Sequence, residues 1–178
     1  MERHEKRLSD ARARAEQSAS RANEKLRELE KESEALRRRF PDGVYPDGLD
    51  HLQDEIQEIE ADVDRAARER DEQALGEAKR RADGMPAEVE RERARLKQFH
   101  LANICLERCL KACELRRAML EARRSDCGTS DHFAEAERLL LQVEKCCNSV
   151  RHELETGRTA EARRRCSECL RVDGSLQR

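Results

Sequence analysis

The chain has 178 residues, enough for one medium domain or two small ones, and 43% of them are charged while 2% are aromatic. With seven Gly, three Pro and a composition dominated by Ala, Arg, Glu and Leu, it suits long helices or coiled coils, and Val, Ile, Tyr and Phe are too scarce to build a sheet. Lys and Arg number 37 against 39 Asp and Glu, a formal charge of −2 with the signs interleaved, which argues against the basic footprint of a nucleic-acid binder.

The short basic runs Arg37-Arg38-Arg39, Lys79-Arg80-Arg81 and Arg163-Arg164-Arg165 sit in acidic surroundings without interleaved aromatics for base stacking. Met1 to Arg7 holds no apolar segment of a secretory signal. No apolar run approaches the ~20 residues of a membrane span. A cytoplasmic, reducing location is therefore the expectation, with the eight cysteines mostly as thiols or thiolates.

In chain order, the spacing predicts helices over 4–40, 49–83, 87–124, 132–156 and 158–171. The predicted interruptions are the turn-rich stretch Pro41 to Gly48, then Gly84-Met85-Pro86, Ser125 to Asp131, and Gly157. Ala15, Ala19, Ala22, Leu26, Leu29, Leu36 and Phe40 alternate by threes and fours along the first helix, as in a coiled-coil seam. Leu49, Leu52, Ile56, Ile59, Val63 and Ala66 do the same along the second. Two long helices joined by a short loop are expected to pack antiparallel.

Adding 84 to these positions, Phe40 excepted, lands on Phe99, Asn103, Leu106, Leu110, Cys113 and Leu120, then on Phe133, Ala136, Leu140, Val143, Cys147 and Val150. The expected fold is all-α: two tandem, coiled-coil-like helical hairpins, each followed by a short third helix, in an elongated bundle. The expected division is a polar, Ala-rich unit over 1–86 and a more apolar, Cys-rich unit over 87–178. The apolar surface around Leu101, Leu115, Met119, Leu139 and Leu141 is wider than one seam needs, so helix 87–124 is expected to have more than one neighbour. A tandem three-helix layout resembles spectrin-like repeats in architecture, with shorter units and without that family's tryptophan.

All eight cysteines lie between 105 and 169. If Leu120 faces Phe133 across the loop, Cys105 and Cys109 lie level with Cys146 and Cys147, and a chain reversal near Gly157 returns Cys166 and Cys169 to that height. Within about 6 Å along the bundle axis, six thiols from three helices would then converge. Such a set, Cys105, Cys109, Cys146, Cys147, Cys166 and Cys169, could bind zinc, copper(I) or an iron–sulfur cluster. The run Cys105-x₃-Cys109-x₃-Cys113 resembles the thiol-lined helices of bacterial copper-storage bundles, over that short stretch alone. Cysteine also packs as a small hydrophobe, which is its ordinary role on a seam, and in an oxidising compartment the same residues could form disulfides. All three readings are open at the level of sequence, with core packing the leading one.

No phosphate-binding glycine loop, HExxH, GxSxG or calcium-loop pattern occurs, and no histidine follows a Glu by three residues as di-iron bundles require. Cys127 has no evident base to activate it. A non-enzymatic scaffold that binds a protein partner or a second copy of itself is the expected function. A metal-binding or redox-responsive bundle is the alternative.

Overall fold

The computed structural model describes residues 2–46, 48–124 and 131–174. Among the described residues five α-helices follow one another: α1 Glu2–Arg39, α2 Gly48–Glu69, α3 Glu72–Arg124, α4 Asp131–Glu155 and α5 Thr159–Gly174. Among the described residues there is no strand. The contacts separate the chain into two compact units, Met1–Leu36 with Pro46–Arg95, and Arg37–Tyr45 with Leu96–Arg178.

The break expected at Gly84-Met85-Pro86 does not exist: Pro86 lies inside the 53-residue helix α3, which also runs through the boundary expected at residue 86. The apolar stripe explains why. Leu75, Ala78, Ala82, Met85 and Val89 are all buried and alternate by threes and fours straight across the proline. An interior proline costs about 3 kcal/mol, whereas burying side chains such as Met85 and Val89 returns about 1.5–3 kcal/mol each.

The chain turns instead at Arg70 and Asp71, inside the segment expected as one helix over 49–83. Arg70 adopts the left-handed conformation with φ 57°, and the Asp71 amide reaches back to the Ala66 carbonyl at 3.0 Å. Asp71 then caps α3, its carboxylate accepting from the Ala74 amide at 3.0 Å. Two residues thus end one helix and start the next.

In the first unit the expected seam is buried at Ala15, Ala19, Ala22, Leu26 and Leu29 on α1 and at Leu52, Ile56, Ile59, Val63 and Ala66 on α2. Polar contacts tie these helices to one another at the surface. Asn23 donates to Glu60, Arg81 pairs with Glu58 and Asp62, and Arg93, its side chain 14% exposed, sits among Glu28, Glu32 and Glu90.

The second unit packs Phe99, Ala102, Leu106, Val143, Val150, Leu154 and Ala162 around its cysteines. Phe40 is buried, its ring 5.4 Å from that of His100. The segment after it is held by Asn103, whose side chain accepts from the Val44 amide at 3.1 Å and donates to the Val44 carbonyl at 2.8 Å. Gly43 is required there, because a Cβ would meet the Phe40 carbonyl oxygen at 2.9 Å and Asn103 Cγ at 3.1 Å. Asn103→Ala leaves both Val44 groups without that partner. Because Val44 is half-buried and water can reach part of it, the expected loss is about 1–2 kcal/mol in urea unfolding. An unchanged midpoint would show that the clamp adds nothing.

Helix α4 ends at Gly157, φ 77°, where the Gly157 amide bonds Leu154 O at 2.9 Å and the Arg158 amide bonds Glu153 O at 2.8 Å. This double closure is a Schellman cap, and it favours glycine at the left-handed position. It sends the chain back, so that α5 packs on α4.

Candidate functional site: the cysteine layer

The reversal at Gly157 brings sulfur from α3, α4 and α5 into one cluster. Cys109, Cys113, Cys147, Cys166 and Cys169 are buried in the core of the second unit, and Cys105 and Cys146 pack against it, half-buried. All six residues singled out from the sequence therefore lie in this core, with Cys113 as a seventh. Cys127 lies outside the described residues. His100 is half-buried beside Phe40, and His152 and His51 are exposed.

Two disulfides run through the cluster. Cys105 of α3 is bonded to Cys166 of α5 with Cα atoms 6.1 Å apart, and Cys146 of α4 is bonded to Cys169 of α5 with Cα atoms 5.9 Å apart. Both separations fall in the usual range for a disulfide. Each of the two cysteines of α5 is thus tied to a different helix. Of the readings left open by the sequence, cross-linking is the one this geometry adopts for these four residues. In this state Cys105, Cys146, Cys166 and Cys169 have no thiolate to offer a metal ion. Among the described residues no group of three or more His, Cys, Asp or Glu is arranged to hold one.

Cys109, Cys113 and Cys147 carry thiols. Cys109 Sγ lies 3.3 Å from Cys166 Sγ, and Cys113 Sγ lies 3.5 Å from Cys147 Sγ. Burial, reinforced by the contact with Cys147, pushes the Cys113 thiol up from its ordinary 9.0 to about 12. The Cys147 thiol is raised as well, first by its hydrogen bond with Cys109 and then by burial. Desolvation disfavours the charged thiolate, so at neutral pH Cys113 and Cys147 are protonated and slow to react.

The neutral Cys113 thiol stabilises the fold fully below the ordinary value of 9.0, and this contribution is lost as pH rises through about 12. The unfolded chain releases the proton first, so stability falls with pH in that window. Cys113→Ala is expected to flatten part of this decline when melting temperatures are compared across it. Parallel declines in the two proteins would reject the assignment.

Near this layer the second unit leaves several large side chains uncovered. Leu101, Leu115, Met119 and Leu141 are 45%, 64%, 51% and 56% exposed. Helix α3 does have more than one neighbour here, meeting α4, α5 and the segment at Val44, while Leu101, Leu115 and Met119 stay exposed. An open groove lies close by, lined by Leu120, Phe133, Leu140 and Leu141 with Arg117, Glu121 and Glu137 at its margins. Arg117 and Glu144 pair from α3 to α4. No helix among the described residues is long and apolar enough to cross a membrane. The chain matches no protein-family model, and searches of curated proteins and of solved structures find no significant similarity to it.

Proposed function

We propose that the chain is a non-catalytic helical interaction protein, built of two tandem antiparallel hairpin units, whose second unit responds to thiol oxidation. The observation that carries this reading is the double tether of α5, through Cys166 to α3 and through Cys169 to α4. Among the described residues, α5 contributes Ala162, Cys166 and Cys169 to the core cluster. Two of these three residues are the ones that carry the cross-links, so the sulfur bonds hold the helix where its core contacts lie. Oxidation state therefore sets how firmly α5 covers α3 and α4.

Disulfides persist in oxidising compartments and are reduced in the cytosol. A cytoplasmic location and this pairing are compatible in a protein whose cross-links form and break. The exposed Leu101, Leu115, Met119 and Leu141 supply apolar surface for a protein partner or a second copy of the chain. The hairpin packing of the first unit is supported by contacts between helices, such as Asn23 of α1 with Glu60 of α2 and Arg81 of α3 with Asp62 of α2.

The test is limited proteolysis across a series of glutathione redox buffers, with thiols counted by alkylation and mass spectrometry in the same samples. Cleavage within or just before α5 should rise as Cys166 and Cys169 become alkylatable, while 1–95 retains its pattern. Cleavage that ignores the redox poise would sink the proposal. Native mass spectrometry of the reduced protein with zinc tests the metal reading: a stoichiometric ion lost on mutation of these cysteines would replace it.

A further inference from the structure

We infer that Cys109 is a resolving thiol for the Cys105–Cys166 disulfide, so that Cys166 exchanges its partner between two residues one turn apart on α3. The inference rests on the redox-responsive reading above. Three placements carry it. Cys105 and Cys109 are four residues apart, which puts them on one helix face about 6 Å apart along the axis. Cys166 of α5 meets both, through its bond to Cys105 and through a sulfur–sulfur contact of 3.3 Å to Cys109. The Cys109 sulfur also lies 4.0 Å from the Cys166 carbonyl oxygen of α5, and it shares a hydrogen bond with Cys147 of α4.

The chemistry is thiol–disulfide exchange and needs no outside oxidant. Cys109 loses its proton and attacks Cys166 Sγ; the Cys109–Cys166 bond forms as the Cys105–Cys166 bond breaks. The bonding electrons leave on Cys105 Sγ, which takes up a proton. One disulfide and one thiol remain, so the oxidation level of the protein is unchanged. Their positions differ. Cys109 is 1% exposed, whereas Cys105 is half-buried. The exchange moves the thiol from the core to a position that small disulfides such as oxidised glutathione can reach, while α5 stays tethered to α3.

Cys105→Ser separates this from a fixed cross-link. The variant, the wild type and the double variant Cys105→Ser/Cys109→Ser are equilibrated in one glutathione redox buffer, quenched in acid, alkylated and mapped without reduction. A Cys109–Cys166 peptide in most chains of the single variant is expected, and it should vanish in the double variant. Alkylated Cys166 in the single variant, where the wild type shows Cys105–Cys166, would overturn the inference and leave the redox reading standing. Cys166 alkylated in the wild type as well would bring down both.

Trapping in the oxidised wild type gives a second measurement that does not depend on a variant folding. N-ethylmaleimide should collect chains alkylated at Cys105 and linked between Cys109 and Cys166. Chains that keep Cys105–Cys166 throughout prolonged exposure to the reagent would count against the exchange.

Discussion

Replacing Cys166 and Cys169 together by Ala, or reducing the wild-type protein, is expected to lower the melting temperature of the second unit by about 20 °C. The two disulfides span sequence separations of 61 and 23 residues. On the chain-entropy view, closing loops of these sizes stabilises by about 4 and about 3 kcal/mol. The loops overlap and α5 is common to both, so the combined effect is less than the sum; about 4 kcal/mol is the working figure. All eight cysteines lie between 105 and 169, so the first unit should melt as before. Scanning calorimetry with and without a phosphine reductant reads this directly. Coincident melts would mean that α5 holds its place by packing alone. A loss throughout the chain would mean that the two units unfold together.

Pro86→Ala is expected to act in the opposite direction, raising stability by about 2 kcal/mol. Proline removes the amide that would bond the Ala82 carbonyl, and it costs about 3 kcal/mol against alanine inside a helix. Part of this is offset, because proline also restricts the unfolded chain by about 0.4–1 kcal/mol. Pro86 is half-buried next to the core residue Met85, and alanine fits in the space the ring leaves. The check is the denaturation midpoint of the variant in urea. A lower midpoint would show that the proline ring contributes packing worth more than the missing hydrogen bond.

This residue also shows where reading the sequence goes astray. Gly84-Met85-Pro86 has the local chemistry of a helix end, yet the helix runs through it. The decisive signal was the stripe Ala82, Met85 and Val89, which keeps its register through the proline. The true turn carries a weak signature. Arg70 takes a left-handed conformation that glycine or asparagine usually marks, so its residue type announces nothing. What could have located it is Asp71 as a helix cap, together with a spacing of nine, in place of three or four, between the stripe residues Ala66 and Leu75. The seam itself was legible at Ala15, Leu26, Leu29, Ile56, Ile59 and Val63, all buried, because a helix repeats every 3.6 residues whatever packs against it.

The cysteine layer divides in the same way. That Cys105, Cys109, Cys146, Cys147, Cys166 and Cys169 share a level follows from counting residues back from the two chain reversals, at 1.5 Å per residue. Which sulfur bonds which does not follow from that count. Two thiols on α3, Cys105 and Cys109, stand within reach of Cys166, and the choice depends on where their Cβ atoms point across the gap between helices.

By itself, then, the sequence determined the helical class, the buried stripes of α1 and α2 and the concentration of sulfur in the second unit. These properties repeat along the chain and depend on local composition. Tertiary structure alone decided that α3 runs on through Pro86, that the chain reverses at Arg70 and that α5 is tied to two different helices. Each of those outcomes balances a local cost, such as a missing hydrogen bond or a strained φ, against burial or bonding supplied by residues far away in the chain.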